Sequence, residues 1–341
     1  MTHWDQPLEN GATIRHFTLE SKILRESGVA NFSHSRPHTA YIPKEATGGQ
    51  PLPCVYLLAP WTGAGRSMFQ WEAFREDLPT RLNRLISTKV MAPCVVVCPD
   101  LYTEFGGSQY INSSWIGGHG DHVVKELIPF VEKHFSVLKG SRHRAVIGRS
   151  SGGFGALRFA MDYDEAFGAM ACHAGDMGFE WVYRRSLIEL CTALAKFQDP
   201  VVWMNELKKQ KKMSGFDTHI LMMLGMCAFF SPNKESPAGF DLPVTLRNGE
   251  LIEAVWQRWL AHDPVEMIDR PEIQDRLGRL KHLYIDCGNR DQYFLQFGSR
   301  QLVAKFKTLG LAHNYSEFDD NHSGTAYRYD VSLPQLLNAI S

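Results

Sequence analysis

The sequence predicts an α/β fold: a mostly parallel central sheet with helices on both faces and a helical cap inserted before its last strands. Three observations carry this. Continuous apolar runs at residues 54–59 and 94–98 lack the alternation of a one-sided strand. They therefore belong to strands covered on both faces, as parallel strands are. These runs alternate with segments of helical spacing, the rhythm of repeated βα units. The stretch from 176 to 275 then interrupts that rhythm with helical patterns alone.

In chain order, residues 14–19 and 38–43 read as two antiparallel strands, followed by the buried strands 54–59 and 94–98 with helical spacing over 68–86 between them. Asp121 suits the N-cap of a helix through Phe135 whose stripe is Val124, Leu127, Ile128, Val131 and Phe135. Pro129 inside it predicts a kink. A strand at 144–147 leads into a helix over 155–161, and 166–172 forms the next strand. The helical patterns of the interruption cover 181–197, 201–212, 219–230 and 251–262. A strand at 282–286, a helix at 299–309, a strand at 314–318 and a terminal helix complete the chain. The predicted division is a core of residues 1–175 and 276–341 and a helical cap of 176–275, over the sheet edge where ligands bind. Within the cap, Met222, Met223, Met226, Phe229 and Phe230 form either an adaptable apolar pocket or the cap's own core. The lysines between 208 and 212 read as a solvated helix face.

Composition excludes several classes of partner. The 341 residues include 36 basic and 37 acidic side chains, a formal net charge of −1, which gives no general attraction to nucleic acid or anionic membrane. The N-terminus lacks the cationic start and apolar run of a signal peptide, and the longest apolar run, 220–230, is too short for a membrane span. The seven cysteines are odd in number and show no paired spacing. Cys94 and Cys98 on one strand stand roughly 13 Å apart, too far for a disulfide. They read as buried thiols of a reducing compartment, and the expected location is cytoplasmic.

Gly148-Arg149-Ser150-Ser151-Gly152 is a G-x-S-x-G pattern with a strand before it and a helix after it, the context this motif requires. A serine on so sharp a turn lifts its hydroxyl above the sheet, and the glycines leave room where a Cβ would clash. The new helix aims its free N–H groups and positive dipole end at the same point. A serine hydroxyl needs a base and an acid that orients the base. In this architecture they follow the serine in the order acid, then histidine, on loops after late strands. Asp291, in Cys287-Gly288-Asn289-Arg290-Asp291, and His322, in Asp319-Asp320-Asn321-His322, meet that order. Asp286 competes for the acid role but lies within the strand pattern, and Asp320 reads as a turn-former. His173 also follows a core strand but precedes the acid.

The oxyanion needs two N–H donors, one from Ser151 and one from the loop Ala59-Pro60-Trp61-Thr62-Gly63. Pro60 has no N–H, so Trp61 is the expected donor and Thr62 the fallback. Arg149, Tyr110 and His119 are candidates for the mouth of the site, and Tyr293 and Phe294 for contact with a substrate; each is equally readable as structural. His119-Gly120-Asp121-His122 holds three possible metal ligands without a recognised metal spacing, so no metal and no cofactor is expected.

Taken together, Val55-Tyr56-Leu57-Leu58, Val97-Cys98-Pro99-Asp100 with Gly107-Ser108-Gln109-Tyr110, the segment from Glu126 to Glu132, and the serine motif through Gly155-Ala156 fall in a family order. The chain resembles the putative esterase family of α/β-hydrolases, which includes S-formylglutathione hydrolases, feruloyl esterases, enterochelin-type esterases and mycolyltransferases. The resemblance covers roughly residues 14–175 and 280–340 and leaves the insertion unexplained. It implies an α/β-hydrolase fold with Ser150 as nucleophile, His322 as base, Asp291 as orienting acid, and Trp61 and Ser151 as oxyanion donors. Ala59-Pro60 departs from the His-Gly or similar pair that many members carry. The expected activity is serine carboxylester hydrolysis of a small-molecule ester through an acyl-enzyme. Acyl transfer to another acceptor and a non-catalytic binding protein are the alternatives.

Overall fold

The computed structural model describes residues 3–27 and 33–341. Its strands are β1 (His3–Pro7), β2 (Thr13–Glu20), β3 (Ser35–Ile42), β4 (Cys54–Leu58), β5 (Val95–Cys98), β6 (Asn112–Ser113), β7 (Gly117–Gly118), β8 (Arg144–Arg149), β9 (Ala169–His173), β10 (His282–Gly288) and β11 (Asn314–Phe318). β6 and β7 make a separate ribbon. The others form one nine-stranded sheet in the order β1-β2-β3-β5-β4-β8-β9-β10-β11. β1, β2, β3 and β5 pair antiparallel in succession, and every pairing from β5 through β4 to β11 is parallel. Every residue of β4, β5 and β9 is buried, as an apolar strand covered on both faces must be. β1 is exposed along its whole length and carries no apolar pattern that would reveal it.

Two helical expectations differ from the structure. Over 68–86 the α-helix runs only from Leu78 to Ser87. Asp77 caps it by accepting from Thr80 N at 2.9 Å, and Pro79 is tolerated because it falls in the first turn, where its missing N–H has no partner to lose. Asp121 is not an N-cap: the helix starts at His119, and the Asp121 carboxylate accepts from Lys125 Nζ and the Tyr163 hydroxyl, each at 2.8 Å. Ahead of Pro129, which has no N–H to donate to a carbonyl of the preceding turn, the turns over His122–Leu127 widen to π geometry.

Between β9 and β10 the chain is helical: Phe179–Val182, Arg184–Leu194, Pro200–Leu207, Gly215–Phe230, Glu253–Leu260, Pro264–Met267 and Pro271–Gly278. The long helix Gly215–Phe230 opens with a capping box between Ser214 and Asp217. Met223, Met226, Phe229, Phe230, Trp256 and Trp259 are buried in one apolar cluster that also takes in Trp61, Phe105, Phe154 and Leu295. This segment is therefore packed onto the sheet edge without a break. Asp263 ties the start of this segment to its last two helices, accepting from Gly178 N at 2.9 Å, Phe179 N at 2.6 Å and Val265 N at 3.0 Å. Among the described residues, no helix is long and apolar enough to cross a membrane.

Candidate active site

Ser150 stands between the end of β8 and the helix Ser151–Asp162 with φ 57° and ψ −128°, a strained combination for a residue with a side chain. The glycines of the motif make the turn possible. A Cβ on Gly148 would lie 2.2 Å from Gly152 O, and one on Gly152 would lie 2.3 Å from Leu58 O. Ser150 N donates to His173 O at 2.9 Å, which ties the turn to the end of β9.

Asp291 and His322 come from loops after β10 and β11. The loops touch: a Cβ on Gly288 would lie 2.4 Å from Asp320 O. His322 Nδ1 donates to Asp291 Oδ2 at 2.7 Å, and the other carboxylate oxygen accepts from Tyr293 N at 2.8 Å. With Nδ1–H committed to the carboxylate, Nε2 is the nitrogen free to take a proton. The imidazole is held further by His322 N donating to Gln292 Oε1 at 3.0 Å and by the Tyr293 ring, edge-on at 4.9 Å. Arg149 donates to His322 O at 3.1 Å, so this side chain braces the histidine loop as well as lining the site.

Ser150, Ser151, His322, Trp61, Thr62, Arg149 and Tyr293 share one cavity of about 410 Å³. The Thr62 amide is committed to Gly106 O at 2.8 Å, which removes the fallback donor. The Trp61 amide has no partner among the described residues, and Ser151, as first residue of its helix, has no intrahelical acceptor. The Trp61 indole is fixed by the bare backbone beside it, since a Cβ on Gly107 would lie 2.5 Å from the ring.

Other candidates are placed elsewhere. Tyr110 does not line the cavity: it is buried, its hydroxyl donates to Ala59 O at 2.8 Å, and it braces the loop after β4. His119 is buried against Ser108 Oγ at 2.9 Å, away from the mouth, and the Phe294 ring stacks under Arg185. His119, Asp121 and His122 point to separate partners, and among the described residues no three His, Cys, Asp or Glu side chains form a group able to hold a metal. Asp320 receives Asn321 N and the Tyr327 hydroxyl, shaping the turn. Of the methionines, Met222 reaches the cavity while Met223 and Met226 are core.

Asp286 and His173 form a second constellation. His173 Nδ1 bonds Asp286 Oδ1 at 2.6 Å and its Nε2 bonds Ser332 Oγ at 2.8 Å, the connectivity of a Ser-His-Asp triad. All three residues are 2% exposed or less, so no ester can reach Ser332. The arrangement is structural, with Tyr284 OH and Arg328 Nε completing the Asp286 shell at 2.9 Å each.

Sequence reasoning missed Asp176, which lies just past β9 in the cavity wall, with Tyr183, Ser186, Thr218 and His219 from the helical segment. The signal available was position: Asp176 follows a parallel strand at the sheet edge where ligands bind. Burial pushes its carboxyl above the ordinary range, against the opposing bonds from Gln109 and Tyr183. A second cavity of about 500 Å³ adjoins the first, sharing Pro60, Thr62, Arg75, Arg149 and Gly324.

The parallel sheet, and the serine turn facing two loops from later strands, are those of the α/β-hydrolase-fold enzymes. Within that class the chain belongs to the family described as putative esterase, whose model matches residues 30–338. It is 35% identical over 135 residues to Esterase Rv1288 of Mycobacterium tuberculosis strain H37Rv and to Esterase MT1326 of strain CDC 1551. The match takes in 38% of this chain and 26% of each relative, so it spans about a quarter of the length of the curated relatives. Among solved structures, a ferulic acid esterase superposes with a TM-score of 0.62 at 16% identity, over 96% of this chain and 98% of that one. An S-formylglutathione hydrolase from Agrobacterium tumefaciens gives 0.59 at 17% identity over 100% of both chains. Mycobacterium tuberculosis MPT51 gives 0.55 at 16%, over 98% of this chain and 100% of that one. These structural likenesses establish the fold.

Proposed function

We infer that this esterase-family protein is a serine carboxylester hydrolase of small-molecule esters that works through an acyl-enzyme. The observation that carries the reading is the 2.7 Å bond between Asp291 and His322 in the cavity that also holds the strained Ser150. Ser150 Oγ attacks the ester carbonyl while His322 Nε2 takes its proton, and Asp291 keeps the imidazole in the tautomer that can do so. The Trp61 and Ser151 amides hold the oxyanion, aided by the helix N-terminus. Collapse of the tetrahedral intermediate expels the alcohol, protonated by His322. Water, activated by the same nitrogen, then releases the acid.

Ser150→Ala tests this directly. Hydrolysis of short p-nitrophenyl esters and labelling by a fluorophosphonate should both be lost while the far-ultraviolet circular dichroism is kept; undiminished turnover overturns the reading. Acyl transfer is the second reading, favoured by the adjoining cavity, which offers room for an acceptor beyond Arg149. Product analysis with alcohols, thiols or amines present separates the two, since purely hydrolytic products exclude transfer to those acceptors.

A further inference from the structure

Asp176 takes no part in the chemistry proposed for Ser150, yet its surroundings are built. The chain leaves β9 through Ala174, whose φ is 43° and whose N–H donates to Asp286 O at 2.7 Å. A Cβ on Gly175 would lie 2.4 Å from Cys172 Sγ. That tight path brings Asp176 into the wall of the Ser150 cavity, where only 7% of the residue is exposed. One carboxylate oxygen, Oδ2, accepts from Gln109 Nε2 at 3.0 Å and the Tyr183 hydroxyl at 2.8 Å. The other, Oδ1, has no partner among the described residues, and no Lys, Arg or His there forms an ion pair with this carboxylate.

A buried carboxylate carrying two neutral donors on one oxygen and none on the other is expensive to keep, because burial disfavours charge that is not fully paired. Gln109 adds to the cost: its Oε1 is buried without a partner while its amide nitrogen serves Asp176 and approaches Ser151 Oγ at 3.3 Å. The network fixes the direction of the carboxylate and leaves Oδ1 without a protein donor, open to the cavity. Such a site is complete when a ligand brings the missing donor.

Building on the assignment of Ser150, we propose that Asp176 is a specificity residue that receives an O–H or N–H donor of the ester, a hydroxyl or an ammonium, on the helical side of the cavity. Tyr183 and Gln109 act through it as positioning residues. The ester is thus a polar one, in which a donor group sits within reach of the same cavity as the scissile carbonyl.

The test compares kcat/KM within two matched sets. In the acyl set, p-nitrophenyl hexanoate is compared with its 6-hydroxy and 6-amino analogues; in the alcohol set, propyl butyrate is compared with 3-hydroxypropyl butyrate. The wild type should prefer a donor-bearing member in at least one set by about 10-fold or more, the scale of one charge-assisted hydrogen bond. Asp176→Asn and Asp176→Leu should collapse that preference, mainly through KM, whereas Tyr183→Phe should keep most of it. No preference in the wild type, which needs no variant to fold, overturns the proposal, as does a preference that survives Asp176→Leu. Fluorophosphonate labelling of Ser150 runs in parallel. A wild type that is not labelled points to failure of the hydrolase reading, and a labelled wild type without the preference to failure of this inference alone.

Discussion

Gly148 and Gly152 pass so close that neither tolerates a side chain: a Cβ on the first would meet the carbonyl of the second at 2.2 Å, and a Cβ on the second would meet Leu58 O at 2.3 Å. Both obstacles are backbone and cannot rotate away. Gly148→Ala and Gly152→Ala should each lower stability by about 1–3 kcal/mol or more and abolish fluorophosphonate labelling. Urea unfolding midpoints check this, and an unchanged midpoint with normal labelling contradicts it.

Asp291 and Asp286 are both buried carboxylates that bond a histidine Nδ1, but their loss should read out differently. Asp291→Asn removes the acceptor that selects the Nδ1–H tautomer of His322, so kcat should fall by about 10⁴-fold with the fold intact. Asp286→Asn acts on the His173, Tyr284 and Arg328 shell instead. Burial pushes the Asp286 carboxyl up, but the His173 and Arg328 partners outweigh it and hold it below the usual range. Breaking that shell should cost about 3 kcal/mol or more, seen as a lower melting temperature. Equal melting temperatures for the two variants would contradict the division of roles.

Acid should weaken the protein partly through Glu126. Burial opposes its ionisation, yet bonds from His122, Ser21 and the Ile23 amide pull its pKa down to about 2. Between its unfolded value of roughly 4.5 and about 2, the unfolded chain binds the proton and the native one does not. Its contribution is therefore complete above pH 4.5 or so and disappears as pH falls to about 2. Glu126→Gln should be less stable than wild type by about 1 kcal/mol at pH 7, since solvent screens a carboxylate this open to water, with the gap narrowing steadily below pH 4.5. A gap independent of pH argues against the linkage.

Arg149 holds the histidine loop through His322 O and, at 3.4 Å, Thr325 Oγ1. Arg149→Met should free the imidazole to wander by a fraction of an ångström and lower kcat by about 10- to 100-fold. The change should be larger in kcat than in KM for an uncharged ester. A pure KM effect would instead make Arg149 a substrate contact alone.

What could be read from sequence was local. Residue patterns and turn chemistry located β4, β5, β8, β10 and β11, and the ends of β8, β10 and β11 point to Ser150, Asp291 and His322. Pro60 narrowed the oxyanion donor by simple chemistry, and the Thr62 bond to Gly106 O narrows it again. The Asp176 network escaped because Gln109, Asp176 and Tyr183 belong to three separate segments that only tertiary packing unites. Tyr110 reads equally as a mouth residue or as structure, because a tyrosine in a loop near a site carries no sign of which way its ring turns. Asp121 shows the limit of capping rules, since a good capping residue was spent on Lys125 and Tyr163 inside the helix.

One carboxylate, that of Asp263, governs how freely the helical segment can change. Because the Asp263 carboxylate clamps the amides of Gly178 and Phe179, the five helices from Phe179–Val182 to Glu253–Leu260 leave and return within a single hydrogen-bonded knot. Loop closure there is settled by the knot and depends only weakly on how much chain lies beyond it. Helices between the clamped points can lengthen, shrink or be exchanged while the registers of β9 and β10, and the serine turn they support, stay as they are. The five helices are thereby an interchangeable part, fastened to the fixed sheet edge by one aspartate.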